Sequence, residues 1–245
     1  MQLVKAKDYQ ELCRMAAERI IGKVKRARNI KLGLATGGTP TGVYRELIED
    51  HRKNGTSYRH VTTFNLDEYV GLSPEHPSSY HYYMNKNLFE HIDIPKEKTY
   101  LPNGMSADLE AECRRYETLI EAEGGIDIQI LGIGLNGHIG FNEPGTPFDS
   151  LTHVVQLAET TREANSRYFG SPDEVPTHAV TMGIGTIMKS REILLLVNGR
   201  NKADILRRLF EEKVTEQLPA SVLKTHPHVT IIADEEACSR LYVFP

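Results

Sequence analysis

The chain has 245 residues, 40% of them apolar, which is enough for a sizeable buried core. Its 29 basic and 33 acidic residues leave a net charge of −4. That excludes the broad basic field of a nucleic-acid binder and confines any anion site to a local cluster. The three cysteines, Cys13, Cys113 and Cys238, are odd in number and far apart, so neither a disulfide framework nor a zinc pattern follows. No apolar run approaches the length of a membrane span, and Met1-Gln2-Leu3-Val4-Lys5 lacks the apolar core of a signal peptide. A cytoplasmic protein without membrane partners is expected.

In chain order, residues 8–28 carry Tyr9, Leu12, Met15, Ala16, Ile20, Ile21 and Val24 at helical spacing. The basic run Lys23 to Arg28 closes that helix, where cations suit the dipole. Residues 30–35 read as a strand that ends at Thr36-Gly37-Gly38, and residues 41–54 as a helix started by Thr39-Pro40. A second strand is predicted over 61–65, helices over 78–91 and 106–123, and a third strand over 127–133. Residues 152–157 alternate and are β-branched, 160–168 fit a helix, and 179–182 a strand followed by an apolar stretch at 184–189. The clearest buried strand is 193–197; a helix over 201–212 and a strand over 229–233 complete the pattern. Strands alternating with helices predict an α/β protein with a mostly parallel sheet covered on both faces. The mixed stretch 144–178 is either a lid over a site or a surface excursion.

In such sheets ligands bind beyond the carboxyl ends of the strands. Three polar clusters are predicted there: Thr36–Pro40, Asn65–Tyr69 and Gly132–Glu143. Far apart in sequence, they converge only through the fold. Thr36-Gly37-Gly38-Thr39 joins strand to helix and offers unsatisfied N–H groups to an anion, although such a turn is often only a turn. It is neither a phosphate-binding Walker loop nor a dinucleotide fingerprint, since the residues that close those patterns are missing. Asp67 reads either as a base or as a helix-capping residue beside an exposed Glu68. His138 shares its glycine-dense loop with Asn136 and Glu143, and a carboxylate there can fix the imidazole tautomer and stabilise its charged form. His76 and His81 flank a Pro-Ser-Ser turn and read as exposed. Arg167 and Lys202 are the cations placed to hold an anion; a lysine at a helix start is electrostatically unfavourable unless an anion sits there.

Taken together, these segments resemble the glucosamine-6-phosphate deaminase family. The matching pieces are Leu34-Ala35-Thr36-Gly37-Gly38-Thr39-Pro40, Asn65-Leu66-Asp67-Glu68-Tyr69, Asn136-Gly137-His138-Ile139-Gly140-Phe141-Asn142-Glu143-Pro144, Ala164-Asn165-Ser166-Arg167 and Ala179-Val180-Thr181-Met182-Gly183. They recur in family order over nearly the whole chain. The resemblance implies one three-layer α/β domain shared with ribose-5-phosphate isomerases and 6-phosphogluconolactonases. It implies glucosamine 6-phosphate as substrate and needs neither metal nor cofactor. By position, Thr36, Gly37, Gly38, Thr39, Arg167 and Lys202 would hold the phosphate. His138, tuned by Glu143 and Asn136, would open the sugar ring, and Asp67 would move the proton from carbon 2 to carbon 1. Many members carry aspartate where this chain has Asn136, so Glu143 is expected to take most of the charge-stabilising role. The strand after the loop reads His153-Val154-Val155, without the basic residues of the family's allosteric members. A non-allosteric enzyme, monomeric or a small homo-oligomer, is therefore expected. A lactonase or pentose-phosphate isomerase on the same fold, and a sugar-phosphate sensor without turnover, are the competing readings.

Overall fold

The computed structural model describes residues 1–166 and 169–241. The chain opens with β1 (Gln2–Ala6), α1 (Tyr9–Arg26), β2 (Ile30–Leu34), α2 (Gly38–Asn54), β3 (Val61–Asn65) and β4 (Asp67–Tyr69). It continues through α3 (Tyr80–Asn87), β5 (Thr99–Tyr100), α4 (Leu109–Ala122) and β6 (Ile128–Leu131). Then come β7 (His153–Gln156), α5 (Glu159–Asn165), β8 (His178–Thr181) and α6 (Ile184–Met188). The last elements are β9 (Ile193–Val197), α7 (Ala203–Glu211) and β10 (Val229–Asp234).

Among the described residues, seven strands form one sheet in the order β1-β10-β9-β6-β2-β3-β5, every neighbouring pair parallel. All residues of β3, β6, β9 and β10 are buried, so both faces of the sheet are covered, as continuous apolar runs require. α1 and α2 pack on each other and on the β9–β10 side of the sheet. Their close approach depends on Gly42: a Cβ there would stand 2.3 Å from the Cys13 Sγ and 2.7 Å from the Tyr9 hydroxyl. Cys13, Cys113 and Cys238 are all buried and free. The basic end of α1 is anchored as a surface cluster, Lys23 to Glu192 at 2.6 Å and Lys25 to Asp50 at 3.4 Å.

The sequence does not foresee a second, antiparallel sheet of three strands, β4-β8-β7. In it Asp67 lies opposite Thr181, which also lies opposite His153. β4 escapes periodicity because three residues, two of them acidic, carry no alternation to read. Its inner side is a small apolar cluster of Tyr69, Phe141, Leu157 and Ala179, buried apart from the main core. The stretch 144–178 supplies β7 and α5. The predicted helix over 41–54 begins three residues earlier, at Gly38, so Gly38 and Thr39 belong to its first turn.

The winding decides where a site can form. From β2 the chain moves one way to β3 and β5, whereas β6, β9 and β10 lie on its other side. The order therefore reverses between β2 and β6, and a crevice opens beyond their carboxyl ends. The loops that leave β2, β3, β6 and β9, four adjacent strands, are the ones that can face one another there.

Candidate active site

The loop after β2 holds Thr36, Gly37, Gly38 and Thr39. Gly37 has φ of 100°, a left-handed conformation that side chains resist, and no side chain caps the start of α2 behind it. Hydroxyls instead hold the carbonyls of this turn. Thr41 and Tyr83, 2.7 Å apart, converge on the Gly37 carbonyl at 2.9 and 2.7 Å. The Tyr9 hydroxyl lies 3.0 and 2.9 Å from the Gly38 and Thr39 carbonyls and accepts from the Gly42 N–H. With the carbonyls tied back, the amide end of α2 is presented to the crevice, an environment suited to an anion. The Thr39 hydroxyl donates to the Asn198 amide oxygen at 2.6 Å and so joins this turn to the loop after β9. Lys202 follows on that second loop. Its half-buried ammonium donates to the Ile133 carbonyl at 2.6 Å, which sets a positive charge against the end of β6. Arg167 lies outside the described residues.

β4 follows β3 after one residue and carries Asp67, which is 7% exposed. Among the described residues no hydrogen bond reaches its carboxylate. Burial pushes the Asp67 carboxyl up to about 8, and the neighbouring negative charge of Glu68 adds to the effect. A carboxylate of that proton affinity is a far stronger base than a solvated one.

The loop after β6 carries Asn136, His138 and Glu143. The imidazole lies flat over Gly134, where a Cβ would stand 2.2 Å from its Cε1. The Asn136 amide nitrogen donates to Glu143 Oε2 at 2.5 Å, which turns its oxygen toward His138 Nδ1 at 2.7 Å. That network assigns the proton to Nδ1 and leaves Nε2 as the acceptor. Glu143 Oε1 is 3.6 Å from the same Nδ1 and accepts from Thr161 of α5 at 2.7 Å. Burial alone would raise the Glu143 carboxyl. The nearby imidazole of His138, with the bonds from Thr161 and Asn136, outweighs it and brings the group down to about 2. The direct partner of the imidazole is thus the Asn136 amide, and the formal charge stands one bond behind it.

The second sheet fastens this loop to Asp67. The Phe141 N–H donates to the Thr181 hydroxyl at 3.1 Å, and the Asn142 amide donates to the Ile139 and Met182 carbonyls at 2.8 Å each. The Met182 N–H in turn donates to the Leu66 carbonyl at 2.7 Å. As a result Asp67 Oδ2 lies 3.9 Å from the point where a Cβ on Gly140 would stand, two residues from His138.

Three expectations are corrected. Glu68 is not exposed but 1% accessible, and His81 is half-buried against it at 2.7 Å. Capping of the next helix falls to Ser79, with Glu68 accepting its first two amides, and not to Asp67. Residues that sequence reasoning passed over are Tyr9, Tyr83, Thr161, Thr181 and Asn198. Only Asn198 carried a local signal, since Asn198-Gly199 ends an apolar strand as Thr36-Gly37 does.

An open parallel sheet with a desolvated carboxylate, a histidine of fixed tautomer and an anion-ready helix start defines an α/β enzyme of acid–base chemistry on an anionic small molecule. Within that class, the chain belongs to the family described as glucosamine-6-phosphate isomerases/6-phosphogluconolactonase, which matches residues 6–232. It is 63% identical over 239 residues to the glucosamine-6-phosphate deaminase of Geobacillus sp. (strain WCH70), covering 98% of this chain and 95% of that one. A solved structure of a monomeric glucosamine-6-phosphate deaminase superposes with a TM-score of 0.97 at 52% identity, covering 98% of this chain and all of the other. The 6-phosphogluconolactonase of Trypanosoma cruzi shares the fold, with a TM-score of 0.77 at 21% identity over 98% of this chain and 96% of that one.

Proposed function

We propose that this protein is a glucosamine-6-phosphate deaminase, which converts glucosamine 6-phosphate and water to fructose 6-phosphate and ammonia. The observation that carries the reading is the pairing of an unbonded, desolvated Asp67 with the Asn136–His138–Glu143 relay across one crevice. The 6-phosphate sits at the start of α2, on the amides of Gly37, Gly38 and Thr39 beside Thr36, with Lys202 and Arg167 supplying positive charge. His138 Nε2 takes the proton of the anomeric hydroxyl and returns it to the ring oxygen, opening the sugar. The Nδ1–H bond to Asn136, with Glu143 behind it, stabilises the imidazolium formed midway. Asp67 removes the proton from carbon 2, giving an enolamine, and delivers it to carbon 1. The ketose imine that results takes up water and releases ammonia. A carbon acid this weak needs a base held in place and freed from solvent, and the burial of Asp67 supports that role.

Purified protein given glucosamine 6-phosphate is expected to release ammonia and fructose 6-phosphate in equal amounts. Asp67→Asn is expected to bind substrate without turning it over. Absence of ammonia, or turnover by Asp67→Asn, would refute the reading. α5, which reaches the site through Thr161, is the part of 144–178 that we assign as a lid. The likeness to a monomeric deaminase supports a monomer. No helix among the described residues is long and apolar enough to cross a membrane. A cytoplasmic location accords with that, and cell fractionation tests it.

A further inference from the structure

Glu68 stands next to Asp67 on β4 and points the opposite way, as successive strand residues do. Its carboxylate is almost wholly buried and accepts four hydrogen bonds. Oε1 takes the backbone N–H of Tyr69 at 2.8 Å and of Tyr80 at 3.0 Å. Oε2 takes the backbone N–H of His81 at 2.9 Å and its Nδ1 at 2.7 Å. Tyr80 and His81 open α3; Ser79 is its N-cap and takes the Tyr82 N–H, while Glu68 satisfies the first two amides from a separate strand, where its charge meets the positive end of the dipole. Among the described residues His81 is the group in contact with Glu68 that can carry a positive charge.

α3 in turn braces the crevice at two points. The Tyr80 ring stacks on Phe141 of the histidine loop, with centroids 6.2 Å apart and planes 9° from parallel. Tyr83, one turn on, donates to the Gly37 carbonyl of the anion turn. Glu68 therefore anchors the helix that joins the base, the histidine loop and the phosphate turn. The ionisable groups that face Asp67 are Glu68 and Tyr69 on its own strand, Tyr44 of α2, Tyr80 of α3 and Tyr116 of α4. From the histidine loop and β8 it meets the neutral Gly140 backbone and the Thr181 hydroxyl. Across the crevice stands the titratable His138; the other ionisable groups are all acids, so among the described residues the negative charge of Glu68 reaches Asp67 without a cation between them. In a desolvated site that repulsion is only weakly screened.

We propose that Glu68 and His81 are positioning residues for the reaction: a buried carboxylate and its imidazole partner that fix β4 and α3, the charge of Glu68 setting how readily Asp67 holds a proton. This rests on Asp67 being the base. Ionised Glu68 strengthens that base by disfavouring a second negative charge beside it.

The test is the pH dependence of kcat/KM for glucosamine 6-phosphate in wild type, Glu68→Gln and His81→Gln, with Asp67→Asn as control. Glu68→Gln removes the charge and keeps the shape, so the acid limb is expected to move to lower pH by about one unit. His81→Gln keeps a donor toward Glu68 and leaves the carboxylate charge in place, so the limb is expected to stay where it is. A limb that moves down in Glu68→Gln and stays in His81→Gln supports the pair; a purely structural role lowers kcat in Glu68→Gln without moving its limb, and that result overturns the proposal. If Glu68→Gln does not fold, Glu68→Asp decides, since it keeps the charge and loses the reach to α3: a lowered kcat with an unmoved limb supports the proposal, and wild-type kcat or a moved limb overturns it. Turnover by Asp67→Asn refutes the base assignment and this proposal together. An inactive Asp67→Asn with an unmoved limb in Glu68→Gln refutes only the pair.

Discussion

Asp67 illustrates at the residue scale how a site that serves chemistry works against stability. The folded chain raises its carboxyl from 3.8 to about 8, chiefly by burial. Below the unfolded value both states hold the group neutral, and no penalty exists. As pH rises from 3.8 toward 8 the unfolded chain ionises while the folded one does not, so unfolding is progressively favoured, and the penalty is complete above the folded value. Asp67→Asn is therefore expected to raise Tm, little near pH 4 and most above pH 8; a gain independent of pH in calorimetry would contradict this. Gly134 is a second case. An alanine Cβ would stand 2.2 Å from the imidazole, so the ring must shift. kcat/KM should fall on the order of 100-fold with Tm nearly unchanged; near-wild-type turnover would show that His138 need not lie where it does. His138 and Glu143 could be singled out in the sequence because a glycine-rich loop after an apolar strand announces where backbone and ligand approach; Asp67 carried no such mark and was singled out by the family resemblance. The roles of Glu68 and His81 could not, because burial decided them.

At the scale of elements, β3 and β9 match their predicted limits, β9 because a continuous apolar run leaves little ambiguity and β3 because β-branched and aromatic residues favour a strand. β1 and β5 go unpredicted: the first is an edge strand that is mostly not buried, and the second has two residues. α2 begins early because Gly37, not Pro40, ends the extended backbone. That shift puts the amides of Gly38 and Thr39 in the helix start, where an anion is best held. α3 supports this turn through Tyr83. Tyr83→Phe removes one of two hydroxyls from the Gly37 carbonyl, a loss of about 1 kcal/mol. KM for the phosphorylated substrate should rise about 5-fold, with kcat little changed; a fall in kcat at constant KM would argue against a phosphate-turn role. The lid assignment is checked by amide hydrogen exchange. Exchange in α5 should slow when fructose 6-phosphate is added, and an unaltered rate would remove α5 from that role.

For the whole molecule, the reversal of strand order between β2 and β6 is what makes one crevice from loops about 100 residues apart in the chain. Oligomeric state belongs to this scale too. Sedimentation equilibrium is expected to give the mass of one 245-residue chain, and rate against substrate concentration a hyperbola indifferent to N-acetylglucosamine 6-phosphate. A sigmoidal curve relieved by that compound would overturn both expectations. The alternation of apolar runs, helical spacing and glycine turns was legible along the chain because each depends on residues a few positions apart. It was enough for the α/β class, the strand ends that carry polar residues and the family likeness. Which strand ends are neighbours, which of two adjacent carboxylates faces the crevice, and which hydroxyls hold the anion turn were decided only in the folded protein. Those outcomes depend on burial and on hydrogen bonds between segments remote in sequence, whose strength exists only once water has been excluded between them.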